Sequence, residues 1–132
     1  MDSITAITAV IGSVVAVGSL ASGVWQYRRK VHLEIFRHYA DAYNRIVTPD
    51  VYRQWQAAIE GTRDHWHELT PKMIDYLNLT WEEFFLSRTG VIPRRLWKLW
   101  QPEICLVLSS DFARVTMEAN QFHFPPELTG DA

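Results

Sequence analysis

Between Ser3 and Tyr27 the sequence contains no Asp, Glu, Lys or Arg, and between Val24 and Val47 it contains neither Gly nor Pro. It has a single cysteine, Cys105, so no internal disulfide can form, and the apolar run "EICLVL" around it marks a packed core thiol rather than a reactive one. No stretch alternates apolar and polar residues as a strand would, and no internal repeat or low-complexity tract occurs. Missing too are a Gly-rich phosphate loop, a GxSxG elbow, an HExxH pair and a CxxC pair, so none of the common catalytic signatures is available. A basic surplus is also lacking. Residues 31–132 hold ten Lys/Arg against fourteen Asp/Glu, a net charge of −4. An acidic body offers no counterion-displacing face, and no nucleic-acid partner is expected.

The uncharged stretch is the most informative feature. Ile4 to Tyr27 is 24 residues, about 36 Å as a helix, enough to cross a hydrocarbon core of roughly 30 Å with some tilt. A secretory signal would begin with basic residues before a shorter apolar run. Here the order is reversed: Asp2 leads, and Arg28, Arg29 and Lys30 follow. "ASG" at 21–23 has the small residues of a cleavage site but the wrong flanks. Trp25 and Tyr27 stand where an interfacial aromatic belt belongs, and the basic cluster places the chain beyond it in the cytoplasm, with Met1 outside. A buried helix of a soluble domain is the remaining alternative, and nothing else in the chain is long or apolar enough to surround one. The expectation is a single anchor over residues 1–30, with the lipid bilayer as its partner.

Thr5, Ala9, Gly12, Ala16, Ser19 and Gly23 step by four and three alternately, which puts all six on one stripe of that helix. In lipid, helices associate through close backbone approach at small residues. The alternation favours a left-handed crossing, so a homo-oligomer through the anchor is expected.

After the basic cluster the pattern is helical throughout. Ile35, Tyr39, Ala42 and Ile46, with Phe36 and Tyr43, form an apolar face in line with the anchor. "TPD" at 48–50 predicts a helix with Thr48 as N-cap and Pro49 in its first turn, carrying Val51, Trp55, Ala58 and Ile59 inward and ending at Gly61. "LTPK" at 69–72 repeats the start signal and predicts a helix with Ile74, Leu77, Trp81, Phe84 and Phe85 inward, ended by Gly90. Pro93 opens the next, with Trp97, Trp100, Ile104 and Leu108 inward and a break or kink at Pro102. Ser109 or Ser110 caps a last helix through about Gln121, and residues 123–132 have no helical period. The fold class is therefore all-α: a transmembrane helix continuing into a small cytoplasmic bundle over residues 31–122, then an irregular tail.

Two groups of side chains could carry chemistry. Asp64, His65, His67 and Glu68 cluster in "RDHWHEL". On a helix His65 and His67 diverge, whereas on an extended segment they could share an ion, for which no third and fourth ligand is evident. Glu34 and His38, an i,i+4 pair, read as a surface contact. Glu82 and Glu83 in "WEEFF" lie among aromatics that could raise a carboxyl pKa. Adjacent helical positions diverge by about 100°, so the two form no acid pair by themselves. The structural expectation is that one pairs with Arg88, Arg94 or Arg95 and the other is solvated. No metal, cofactor or catalytic residue is expected.

Residues 74–104, "IDYLNLTWEEFFLSRTGVIPRRLWKLWQPEI", resemble a block found in a group of small bacterial proteins of unknown function. Leu77, Asn78, Glu82, Glu83, Phe84, Gly90, Val91, Ile92, Trp97 and Trp100 match it, as does Pro126-Glu127-Leu128 near the end. Pro93, Arg94, Arg95 and Pro102 depart from it. The resemblance implies a bacterial cytoplasmic-membrane protein with one N-terminal membrane helix and a small helical domain, and supplies no reaction. The functional expectation is a membrane-anchored interaction or scaffolding module with an unidentified protein partner. The alternatives are a tethered effector or enzyme using Glu82/Glu83 or His65/His67, and an accessory subunit of a larger membrane complex.

Overall fold

A computed structural model describes residues 3–130; Asp2, which leads the charge order, and the last two residues of the tail lie outside the described residues. Every element is helical: α1 (Ser3–Ile46), α2 (Tyr52–Glu60), α3 (Trp66–Arg88), α4 (Arg94–Leu108), α5 (Asp111–Asn120) and α6 (Pro126–Thr129). The chain divides into two compact units, Met1–Ile35 and Phe36–Ala132.

In the first unit, residues 3–30 are exposed around the whole circumference of α1. None of this apolar stretch is buried, so it is no core helix of the unit it belongs to. The helix is long and apolar enough to cross a membrane. Thr8 and Ser13 donate their hydroxyls to the carbonyls of Ile4 and Ala9, at 2.8 and 3.0 Å. Neither hydroxyl is left to seek water, as a helix in hydrocarbon requires. With no Gly or Pro to interrupt it, α1 continues unbroken to Ile46.

The second unit packs the last turns of α1 with α2 to α6. Met73, Leu77, Leu108 and Leu128 are fully buried, and Trp55 and Phe112 lie beside them. Trp55 meets Tyr76 and Phe112 with ring centroids at 5.5 and 6.3 Å, and Trp66 stacks on Phe112 at 5.3 Å. Aromatic pairs at these spacings add to the area they bury. Lys72 Nζ donates to the carbonyl of Ile46 at 3.0 Å, placing a cation at the C-terminal end of α1.

Several expected boundaries shift. Thr48 caps no helix; residues 48–51 form a turn closed by Val51 N–H to the Thr48 carbonyl, and α2 starts at Tyr52. The Thr48 hydroxyl instead holds the Asp50 carboxyl below its ordinary pKa. α2 ends at Gly61, whose φ of 114° satisfies two carbonyls of the last turn. The helix expected to open at "LTPK" starts earlier, after a short non-helical stretch over residues 62–65. α3 begins at Trp66 and takes Pro71 within its second turn, where the ring removes one bond, to the carbonyl of exposed His67. Pro102 likewise stays inside α4, on its exposed side, without ending it. Ser110 is the N-cap of α5 and accepts from Ala113 N–H at 3.2 Å. The tail is not irregular throughout: α6 forms a turn that buries Leu128 and Thr129. One inward leucine on four residues is too little periodicity to register in sequence.

The face of α3 differs most. Leu69, Met73, Tyr76, Leu77, Thr80 and Glu83 are buried, whereas Trp81 and Phe85 are 46% and 57% exposed. Ile74 and Phe84 are half-buried. The inward stripe runs through two polar residues, which a reading based on apolar periodicity passes over.

Candidate functional site

That stripe brings Glu83 to a cavity of about 160 Å³ in the second unit. The last turns of α1 contribute Phe36, Tyr39 and Tyr43, α3 contributes Tyr76, Thr80 and Glu83, and α4 contributes Trp100, Glu103 and Ile104. Helical spacing explains the convergence: Phe36, Tyr39 and Tyr43 step by three and four along α1, as do Tyr76, Thr80 and Glu83 along α3. Tyr39 and Trp100 meet edge to face at 5.8 Å, and Phe36 and Trp100 stack at 6.3 Å, forming one wall.

The polar groups are arranged unequally. Tyr39 donates to Glu82 Oε1 at 3.0 Å, and Tyr43 donates to Glu103 Oε1 at 3.4 Å. Glu83 is 7% exposed and, among the described residues, has neither a hydrogen bond nor an ion pair. Burial raises its pKa from the ordinary carboxyl value to about 8, with the nearby Glu82 and Glu103 charges adding to the rise. The phenols respond in the same direction. Burial, then the Glu103 charge, pushes Tyr43 up to about 12. Burial raises Tyr39 and Tyr76 further, with Glu82 adding at Tyr39 and Glu103 at Tyr76.

The expected pairing of Glu82 or Glu83 with an arginine of the same block does not form. Arg88 pairs with Glu127 of α6 and lies over the Phe84 ring at 5.1 Å, while Arg94 and Arg95 are exposed. Glu83 is not solvated, because the rotation of α3 that exposes Trp81 turns it inward. Glu82 is on the outer side and reaches Tyr39.

His65 and His67 do not join this cavity. His65 precedes α3 and His67 lies in its first turn, and neither lines the cavity. His65 Nδ1 is 3.6 Å from Glu68 Oε2, within ion-pair range but beyond a hydrogen bond, which is why the nitrogen is otherwise unpartnered. Among the described residues no three His, Cys, Asp or Glu side chains converge as a metal site would need. Cys105 is partly buried, its Sγ 3.6 Å from the Glu127 carbonyl oxygen, and burial raises its pKa, which disfavours the reactive thiolate.

On α1 the six small residues Thr5, Ala9, Gly12, Ala16, Ser19 and Gly23 are all exposed, and a Cβ added at Gly12 or Gly23 would meet nothing. Trp25 and Tyr27 are exposed, with the Arg29 guanidinium 5.5 Å from the Trp25 ring. Arg28 and Lys30 flank that pair in the same helical turn.

The sequence singled out Glu82 and Glu83 and the aromatic residues beside them in "WEEFF", but not the three tyrosines that gather around them. Tyr39 and Tyr43 read only as part of an apolar helix face, while Tyr76 and Glu103 carried no signal at all. The available clue was the i,i+4 step from Tyr39 to Tyr43 on one helical face, which means little until the facing helices are known. No known protein family, curated protein or solved structure matches this chain.

Proposed function

We propose that this chain is a single-pass protein of a bacterial cytoplasmic membrane, with its N-terminus outside and its helical domain held at the cytoplasmic face as an interaction module. The observation that carries this reading is the charge-free stretch of α1, exposed over its full circumference and closed by Trp25, Tyr27, Arg28, Arg29 and Lys30. A signal sequence is also apolar and N-terminal; the basic cluster after the apolar run, rather than before it, argues for an anchor. The bacterial setting rests on the sequence resemblance. Exposed Trp81 and Phe85 on α3, and Leu99 and Leu106 on α4, supply apolar surface for a protein partner. The small-residue stripe supports self-association within the bilayer.

The test is fractionation of cells expressing the full chain. The protein should stay with membranes through alkaline carbonate, keep its N-terminal segment by intact mass, and report a cytoplasmic position for a fusion after Ala132. Release by carbonate, or loss of residues 1–23, would overturn the anchor; a periplasmic signal from the fusion would overturn the orientation.

A second reading, a tethered ligand-binding effector, is favoured by one specific observation: Glu83 lies unpaired at the cavity instead of being neutralised by an arginine.

A further inference from the structure

A carboxyl turned inward without a partner is costly to ionise, since burial strips away much of its hydration and no opposite charge replaces it. Glu83 is in that position, and a second carboxylate, Glu103, lines the same space. Among the residues lining it there is no Lys, Arg or His to complement them. Most of the rest of the wall is aromatic, from Phe36, Tyr39, Tyr43, Tyr76 and Trp100, with Ala40, Asn44, Thr80 and Ile104 completing it. Aromatic faces attract cations that are weakly hydrated and organic, and do so best when water is excluded. A metal ion is a poor fit, because hard cations require several converging oxygen ligands and this wall supplies mainly carbon. The volume, about 160 Å³, is close to that of an engineered cavity of about 150 Å³ that admits benzene.

From these features we infer that the cavity bounded by Glu83, Glu103, Tyr39, Tyr43, Tyr76 and Trp100 is a binding site for the ammonium group of a small organic amine. The ammonium N–H groups donate to the Glu83 carboxylate, and the alkyl carbons next to the nitrogen lie against the tyrosine and Trp100 rings. Tyr39 and Tyr43 are held in place by donating to Glu82 on the outer side of α3 and to Glu103 in the cavity wall, so neither hydroxyl is spent on Glu83. The site belongs entirely to Phe36–Ala132 and stands whether or not α1 is inserted in a membrane.

The charge state adds a signature. With its pKa raised to about 8, Glu83 is mostly protonated in the empty site at neutral pH. The groups that face it are Glu82 on its own helix, Glu103 from α4, and the phenols of Tyr39, Tyr43 and Tyr76, and none of them offers a positive charge. An entering ammonium ion therefore displaces the Glu83 proton to solvent, and binding tightens as pH rises through about 8.

The experiment is isothermal calorimetry on the full chain in maltoside micelles, titrated with propylammonium chloride, with propanol and sodium chloride as comparators. Saturable binding of propylammonium alone is expected, at least roughly tenfold tighter at about pH 9 than at about pH 6, with proton release detected by repeating it in buffers of different ionisation enthalpy. Glu83→Gln should weaken binding by roughly tenfold or more while its melting temperature stays level or rises. Glu103→Gln should weaken it less. Displacement of propylammonium by glycerophosphoethanolamine would place the amine on a lipid headgroup, and failure to displace would place it on a free metabolite; either supports the site. Equal binding of propanol, full affinity in Glu83→Gln, or no saturable heat with propylammonium would overturn it.

Discussion

The phenol of Tyr39 donates to Glu82 Oε1 at 3.0 Å, joining the last turns of α1 to the middle of α3. Tyr39 is buried, whereas Glu82 keeps contact with water. Removing the hydroxyl in Tyr39→Phe therefore leaves a carboxylate that water can still solvate. The expected cost is about 0.5–1 kcal/mol, toward the low end for a single hydrogen bond. Tyr39→Ala also empties a buried ring site and should cost about 3 kcal/mol or more. Urea unfolding of the two variants side by side separates bond from packing; equal losses would refute that division.

Glu83 makes stability depend on pH in an unusual direction for a carboxyl group. Its folded pKa, about 8, lies above its ordinary value of 4.5, so the folded state holds an extra proton between the two. Stability is fully present below about pH 4.5, falls as pH rises, and the whole penalty is felt above about pH 8. Glu83→Gln removes the charge, so the variant should be more stable than the parent at about pH 9, by an amount on the order of a few kcal/mol. Near pH 4 the two should be close. Parallel curves from denaturant titrations across that range would show that Glu83 does not ionise there.

Burial ranks the tryptophans. Trp55 is 1% exposed and packed between Tyr76 and Phe112. Trp55→Ala should cost about 3–5 kcal/mol. Trp97 meets Phe84 at 6.1 Å across the turn at Gly90 but is only half-buried, and Trp100 turns instead toward Phe36 and Tyr39. Trp97→Ala should therefore fall short of that range, below about 3 kcal/mol. Thermal unfolding gives the order directly, and a larger loss at Trp97 would contradict it.

Gly90 tests backbone conformation without packing. Its φ is 82°, and a Cβ placed there would meet nothing within 4 Å. Gly90→Val should still destabilise by about 1–3 kcal/mol, since a β-branched residue resists that region. Gly90→Asn, which tolerates it better, should cost clearly less. Equal costs in chemical denaturation would point to some cause other than φ.

The stripe on α1 makes a prediction about association. Gly12→Ile with Ala16→Ile should reduce self-association in a membrane two-hybrid assay, because bulk at those positions keeps backbones apart. Val10→Leu with Val17→Leu, off the stripe, should change little. Equal loss from both pairs would mean that no particular face is used.

The sequence by itself determined the elements whose signals are local. Twenty-four residues without charge, followed by Arg28, Arg29 and Lys30, define a long apolar helix without reference to any partner. Gly61 and Gly90 mark left-handed turns, and Ser110 marks a cap, because φ and capping bonds depend on a few neighbouring residues. The tertiary structure alone decided how α3 is rotated. Trp81 and Phe85 are large and mainly apolar, and by hydrophobicity they belong inside ahead of Glu83. They are excluded because Met73, Tyr76, Leu77 and Thr80 already fit the space between α4, α5 and the end of α1, and a rigid helix cannot turn one residue inward independently of those three and four positions away. The inward position of Glu83 follows from that constraint, and with it the cavity. Proline shows the same limit: Pro71 and Pro102 read as breaks locally, yet each costs only one backbone bond, on an exposed carbonyl or an exposed helix side, and the packing of the surrounding turns outweighs it.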